Sequence, residues 1–458
     1  MNTVRASPLF SSGRWIPAAA LEVDGNPDQA VAGVGEPGSR VLAGPRLLAG
    51  MEPLRDHLER LGPLPELGNA AGIREYVEES GLQGRGGSGF PVAAKMRAVA
   101  ARGPRPLVVV NGSESEPASR KDRTLMALRP HLVLDGAAVA AAAVNADQII
   151  VQLHRGAGDA MAGLVRAQEE RRRARLPELQ VEISCGPPRY VAGESSAIIH
   201  FLEDGDARPL TDRRAARAGV HGRPTLVHNA ETMSHLALIA RRGPWWFRLA
   251  GTIGAPGSSL VTLAGAIPPG QRVFEVGGAV KLGRLLSERA GLSAPPRAVL
   301  LGGYAGAWVD GAAAWELTLA RDQLSTEGIS FGCGLLGILP WEACGLAETA
   351  RLLAYLAGES ARQCGPCAFG LPRLAEGMTA LAFGRVGRRE VRQLLRRSAI
   401  VAGRGACHHP DGAVLLLHHA LAVFEDDVER HIRRGPCDRA AHLPTFRVPT
   451  AAPEAGWR

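Results

Sequence analysis

A chain of 458 residues, 46% hydrophobic and 21% charged, has the balance of a globular protein with room for about three domains. No apolar run reaches the roughly 18 residues of a membrane span, the first twenty residues lack the apolar core of a secretory signal, and seven scattered cysteines make no disulfide framework; the expected location is cytoplasmic. The formal net charge of +8 is carried almost wholly by arginine, with lysine only at 95, 121 and 281, so Lys95 and Lys121 mark positions where a compact ammonium is kept.

Residues 1–50, rich in Gly, Pro and Ala, read as a weakly ordered arm. From 51 to 248 short apolar runs alternate with amphipathic stretches. "LVVVNG", "QIIVQLH" and "LQVEISC" read as strands, and "HLVLDGAAVAAAAVNA" and "GDAMAGLVRAQEERRRAR" as helices, which predicts an α/β domain with mostly parallel pairing. Residues 249–335, with "SSLVTLAGA", "QRVFEVGG", "KLGRLLSERAG" and "RAVLLGGYAGAWV", fit a small β-grasp-like module. From 336 to 436 the period is helical, in "LAETARLLAYLAGESARQ", "REVRQLLRRSAIVAG" and "AVLLLHHALAVFEDDVERHIRR", which predicts a helical bundle followed by a disordered tail over 437–458. The basic runs at 171–175, 213–217 and 387–398 lack interleaved aromatic residues and read as solvated helix faces rather than a nucleic-acid surface.

Four polar or glycine-rich turns stand out in the α/β region. "GRGGSGFPVAAK" (84–95) places glycines, Arg85 and Phe90 ahead of a helix start, an arrangement that brings backbone N–H groups close to an anion. "LVVVNGSESEPASRKDR" sets Asn111, Glu114 and Glu116 directly after a buried-type strand, where parallel sheets hold ligands. "YVAGESSA" carries Gly193 and Glu194, and "GRPTLVHNAET" carries Asn229, at two further turns into helices. Two of the six asparagines in the chain fall in these turns.

This order of motifs resembles the NADH-binding flavoprotein subunit of respiratory complex I and its relatives in NAD-linked hydrogenases and formate dehydrogenases. Their patterns are GRGGAGFPTGxKW, NxDEGEPGxxKDR, YxxGEETA and GxPTxVNNVET, and the similarity runs from about residue 80 to about 430. The resemblance implies an FMN-binding α/β domain, a ubiquitin-like SLBB module and a helical domain holding one [4Fe-4S] cluster. It also implies that Gly84, Arg85, Gly86 and Lys95 surround the FMN phosphate and ribityl chain, and that Asn111, Glu114, Gly193, Glu194 and Asn229 make further flavin contacts. Phe90 and Glu116 remain of the family's NAD contacts, and Cys364, Cys367 and Cys407 of its cluster ligands.

The chain departs from the pattern at several of these positions. Ala98 and Arg214 stand where aromatic rings are expected, and Ser195 stands for the second carboxylate of the GEET motif. Lost stacking at about 0.5–1.5 kcal/mol each and a lost charged hydrogen bond at about 1.5–3 kcal/mol together approach roughly 3–5 kcal/mol, two to four decades in affinity. Flavin binding is therefore better supported than NADH binding, and Arg214 also suits the phosphate of an NADP-like ligand. Ala361 replaces the first cluster ligand, which leaves a [4Fe-4S] or [3Fe-4S] cluster with His408, His409, an external thiolate or nothing in fourth place. Cys344 and Cys437 have no partner at ligand spacing along the chain.

The leading expectation is an oxidoreductase passing electrons from NADH through FMN to an iron–sulfur centre. Its partner would be an electron-accepting Fe–S or ferredoxin-like protein, and any membrane association peripheral, through a complex. The alternatives are an FMN-binding relay to a ferredoxin-like partner that does not use NADH, and a non-enzymatic basic scaffold.

Overall fold

The computed structural model describes residues 31–176, 180–212, 218–450 and 456–458, together with the two-residue strands Phe10–Ser11 (β1) and Arg14–Trp15 (β2). Arg214 and most of residues 1–30 lie outside the described residues. A third short strand, Val31–Ala32 (β3), opens the continuous part of the chain.

β-Branched runs build the first sheet. Leu107–Gly112 (β4), Gln148–His154 (β5), Gln180–Gly186 (β6) and Thr225–Asn229 (β7) are all parallel, in the order β6-β5-β4-β7. β4 is apolar toward both faces because helices cover both. Val108 and Val110 face the large core under the helices Pro130–Val144 and Ala230–Arg242, while Leu107 and Val109 meet Ile198 and Ile199 of the helix Ser195–Asp204. The chain leaves β4 toward β5 on one side and returns to β7 on the other, so a switch point opens at the C-terminal ends of β4 and β7, the place where open parallel sheets bind ligands. Asn111 and Asn229 are register partners at that point.

The second sheet collects Ser259–Gly265 (β8), Val273–Val276 (β9), Ala298–Leu301 (β10), Ala307–Asp310 (β11) and Leu335–Leu339 (β12) in the order β11-β10-β12-β8-β9-β3. β12 runs parallel to β8 and every other pair is antiparallel. β12 extends this unit to residue 339, past the boundary expected at 335.

The expected weak order of the arm does not hold over residues 31–50. β3 adds to the edge of β9, Val34, Val41 and Leu42 are buried, and Glu275 accepts hydrogen bonds from the backbone of Arg40 (2.8 Å) and Leu42 (3.1 Å). A two-residue strand is too short to leave a period in the sequence.

The helices Gly345–Gly358, Leu371–Phe383, Arg388–Val401, His409–Val423 and Glu425–Arg434 follow, the last two separated at Phe424 where a single helix was expected. The tail is likewise anchored rather than loose where it is described. Phe446 is buried beside Trp308, and the Arg189 guanidinium stacks 4.2 Å from the ring of buried Trp457.

Candidate functional site

The turns that follow β4 and β7 close around one polar cavity of about 90 Å³, lined among others by Gly86, Asn111, Glu114, Glu116, Gly193 and Asn229. Six of the residues singled out in the sequence thus converge, although they come from four separate turns. Gly193 belongs there for want of a side chain: a Cβ on it would lie 2.6 Å from Ser115 Oγ. A Cβ on Gly86 would meet Asn229 only at 3.8 Å, so that position is open toward the cavity.

Local hydrogen bonds fix the walls. Asn111 donates to the Gly193 carbonyl at 2.8 Å and accepts from Ser113 N–H, tying the β4 turn to the "YVAGES" turn. Asn229 donates to Asp122 at 2.8 Å, and its Oδ1 accepts from Thr232 Oγ1 at 2.5 Å. Glu114, with a φ of 37°, accepts from Ser119 Oγ and from the Asp122 and Arg123 N–H groups, capping the helix Lys121–Leu128. Burial raises its pKa, and the neighbouring Asp122 carboxylate raises it further.

Behind these groups Lys121 is buried between Asp122 (2.7 Å) and Glu231 (2.8 Å), whose charges hold its pKa above the ordinary lysine value against the effect of burial. Lys121 was legible as an unusual lysine in an arginine-rich chain; its two carboxylate partners, Asp122 beside it and Glu231 in a distant motif, were not. Burial also lifts the Glu116 carboxyl to about 7, although Tyr304 N–H (2.9 Å) and Tyr190 OH (3.1 Å) donate to its Oε2. Its Oε1 is buried without a hydrogen-bond partner and belongs to the cavity wall.

The glycine-rich loop forms a closed turn whose base is set by the Gly84 N–H bond to the Phe90 carbonyl (3.0 Å) and by pairing of Gln83 with Pro91. Gly87 (φ 132°) and Gly89 (φ 65°) hold backbone conformations that favour glycine. One side of the loop faces the cavity through Gly86, and the other borders a wider cleft of about 480 Å³ lined by Gln83, Gly87, Gly89, Arg321 and Phe331. Phe90 is 54% exposed. Arg85 and Lys95 turn away from the cavity: Arg85 donates to the Pro256 carbonyl at 2.7 Å, and Lys95 to the Val227 carbonyl at 2.7 Å. Burial pulls Arg85 down to about 9 and Lys95 to about 8, the latter against the nearby Glu194 carboxylate.

Glu194 caps the helix Ser195–Asp204 by accepting from Ser196 and Ala197 N–H, and it connects this region to the cysteines. Burial pushes the Cys407 thiol up, a His409 N–H bond opposes the rise, and the Glu194 charge adds to it. Burial likewise raises the Cys367 thiol, with the neighbouring Cys364 and Cys407 adding to the effect. The three cysteines are therefore neighbours: Cys364 lies in the segment after the helix Gly345–Gly358, Cys367 in the π-helical turn Pro366–Gly370, and Cys407 in the loop before the helix His409–Val423. Three thiols from these segments suit an iron–sulfur cluster in kind. Ala361 packs against Val191, Ala192 and Trp457. His409 Nε2 lies 2.8 Å from the Leu356 carbonyl, which leaves its Nδ1 buried without a hydrogen-bond partner, and His408 is fully exposed.

Comparison with known proteins places these regions. Residues 77–238 match the Nuo51 FMN-binding domain, and residues 347–431 match the NADH-ubiquinone oxidoreductase-F iron–sulfur binding region. The chain is 30% identical over 383 residues to the second NADH-quinone oxidoreductase F-subunit of Rhizobium meliloti (strain 1021), covering 80% of this chain and 90% of that one. It is 27% identical over 385 residues to the NADH-quinone oxidoreductase F-subunit of Streptomyces coelicolor (strain ATCC BAA-471 / A3(2) / M145), covering 79% and 83%. Among solved structures it resembles the NAD+-reducing [NiFe]-hydrogenase in the air-oxidized state, with a TM-score of 0.75 at 26% identity over 85% of this chain and 67% of that chain. The glycine loop, the paired strand-end asparagines and the cysteine loops thus belong to a member of the NADH-quinone oxidoreductase F-subunit family.

Proposed function

We propose that the protein is the flavin-carrying electron-entry subunit of an oxidoreductase, taking electrons from NADH onto FMN and delivering them to an iron–sulfur centre. The observation that carries this reading is the convergence of Gly86, Asn111, Glu114, Gly193 and Asn229 on one polar cavity, with Glu194, next to Gly193 in the chain, exerting its charge on the Cys407 thiol. When bound, FMN accepts electrons as a pair and releases them singly, the conversion that such a path requires.

The residues fit that cofactor in kind. Gly84, Gly86 and Gly193 offer close backbone approach, Asn111 and Asn229 supply amides at the strand ends, and Glu116 Oε1 is a polar atom in want of a partner. Glu114 contributes through its backbone, since its carboxylate is used in capping. Arg85 and Lys95 add positive charge from behind the loop rather than by contact. The cavity is smaller than the roughly 300–1,000 Å³ of cofactor pockets, so it serves as the polar floor of the site. Phe90 and Glu116 are the residues assigned to the nicotinamide nucleotide. Glu116 holds a proton at the acid side of neutrality and releases it above about 7.

We read the second sheet as a β-grasp module of the SLBB type. Its parallel pair β8 and β12 lies at the centre, flanked by antiparallel β9 and β10, with the helix Leu282–Ala290 between β9 and β10 in the chain. The C-terminal helices are read as the cluster-holding bundle, and the domain limits are read as 51–248, 249–339 with β3 of the arm added at its edge, and 340–450. The partner is read as an acidic iron–sulfur protein. Beside the Cys364–Cys367 turn, Phe369 (77% exposed) and Ile400 (61%) lie in an apolar concavity rimmed by Arg373, Arg397 and Arg404, which suits a negatively charged docking face. No single helix among the described residues is long and apolar enough to cross a membrane.

Gly86→Val tests the placement of the cofactor. Its added methyl groups enter the cavity rather than the core, so the variant should keep the melting temperature of the FMN-free parent while losing flavin on gel filtration. Stoichiometric FMN in that variant would place the flavin elsewhere.

A further inference from the structure

The C-terminal region brings together a second set of metal-binding side chains that neither the flavin site nor Cys364, Cys367 and Cys407 uses. Cys344 immediately precedes the helix Gly345–Gly358, His431 sits in the last turn of the helix Glu425–Arg434, and Cys437 begins the tail. Their donor atoms, Cys344 Sγ, a His431 ring nitrogen and Cys437 Sγ, lie within 4.8 Å of one another, and all three residues are buried. Among the described residues they form the one cluster of potential ligands drawn this tightly together. The helix Gly345–Gly358 separates Cys344 from the Cys364 loop by 14 residues, roughly 20 Å of helix, so this group is distinct from the expected cluster site.

The histidine is oriented as a ligand. Its Nδ1 lies 3.0 Å from the Leu381 carbonyl, which can only accept, so Nδ1 carries the proton and Nε2 presents its lone pair toward the sulfurs. Cys344 Sγ is 3.9 Å from Nε2. With zinc–sulfur bonds of about 2.3 Å and zinc–nitrogen bonds of about 2.0–2.1 Å, tetrahedral donors stand roughly 3.5–3.8 Å apart, so the Cys344–His431 pair needs a few tenths of an ångström of closure and no pair more than about 1 Å. The Cys437 N–H now donates to the same lone pair at 3.2 Å and would be released when a cation takes it. Two thiolates neutralise a divalent cation, and the Arg297 guanidinium, held against Asp427 and the Ala343 carbonyl, interacts electrostatically with both sulfurs.

We propose that Cys344, His431 and Cys437 form a structural site for a thiophilic divalent cation of the zinc class, with water as the fourth ligand. Binding releases the two thiol protons and involves no electron transfer. The site would staple the start of one helix, the end of another and the tail, segments that the sequence leaves 87 and 6 residues apart.

The test uses the full chain and a Cys364→Ser/Cys367→Ser background, each stripped with chelator and then dialysed against zinc or cobalt. Both proteins should retain a stoichiometric zinc ion, both should give a thiolate-to-cobalt charge-transfer band, and Cys437→Ser should lose both signals. Zinc should also raise the melting temperature of the parent by several degrees. The cobalt spectrum of the Cys364→Ser/Cys367→Ser protein, in which the other cysteine set is broken, decides the matter even if Cys437→Ser fails to fold. Absence of that band in the folded parent, loss of the metal in the Cys364→Ser/Cys367→Ser background, or an intact mass two hydrogens short with a Cys344–Cys437 disulfide would each overturn the proposal.

Discussion

Glu116 keeps a carboxyl in the cavity wall with one oxygen bonded and the other bare, and its pKa of about 7 records the cost of charging it there. Between the ordinary value of 4.5 and 7 the folded chain retains a proton that the unfolded chain has released, so this residue makes stability fall as pH rises through that window and leaves it level above. Glu116→Gln keeps an acceptor for Tyr190 and Tyr304 without the titration. FMN-free protein carrying it should therefore lose less stability than the parent between pH 5 and 8, by up to about 3 kcal/mol. Parallel denaturant titrations at several pH values measure this; identical pH profiles would mean that Glu116 is ionised throughout. Ala361 makes the second residue-scale prediction. It stands where the family has a thiolate, so Ala361→Cys should gain iron content and air stability after anaerobic reconstitution with iron and sulfide, as read by EPR. Equal four-iron clusters in both proteins would mean that another ligand already completes the site.

At the scale of elements, the helix pair Pro130–Val144 and Ala230–Arg242 sets how closely the layers above the first sheet approach. A Cβ on Gly136 would fall 1.7 Å from the Met233 carbonyl oxygen, a backbone atom that cannot turn aside. Gly136→Ala, though it favours helix locally, should cost at least about 1–3 kcal/mol and lower the melting temperature by several degrees. A melting temperature equal to the parent's would show that the helices can slide apart. Neighbouring Asp135, a charged residue within that apolar helix, is itself buried against Arg171 (2.7 Å) and Arg241 and is part of the core. β4, β5 and β6 were legible because six or seven consecutive β-branched or alternating residues leave a clear signature, and the position of Asn111 at a strand end followed from it, whereas Asn229 was read only at a turn into a helix and β7 before it was not read. β3, with two residues, and the Phe424 break, which no Gly or Pro announces, left no such mark.

Across the whole molecule, the candidate site is assembled from short motifs spread over 84–407, and their individual turns were readable while their mutual contacts were not. The ion cluster of Lys121 with Asp122 and Glu231, the proximity of Glu194 to Cys407, and the Cys344–His431–Cys437 group are products of tertiary packing, which spacing along the chain cannot reveal. The same packing turned Lys95 and Arg85 toward backbone carbonyls, where motif order alone had pointed them at a phosphate. Phe446 and Trp457 were hidden for a related reason: a single buried aromatic in a polar segment has no period.

The central claim is that electrons enter at the cavity beside Glu116 and leave through the cysteines beyond Glu194. Anaerobic titration of the FMN- and cluster-reconstituted chain with NADH, followed together by flavin absorbance and low-temperature EPR, tests it most directly. Given Ala98 and Ser195 in place of aromatic and acidic groups, bleaching should require more NADH than in complete family members, but it should be followed by reduction of the iron centre in the same protein. A bound flavin that stays oxidised under excess NADH, while dithionite reduces both centres, would contradict the account and favour a relay that does not use NADH.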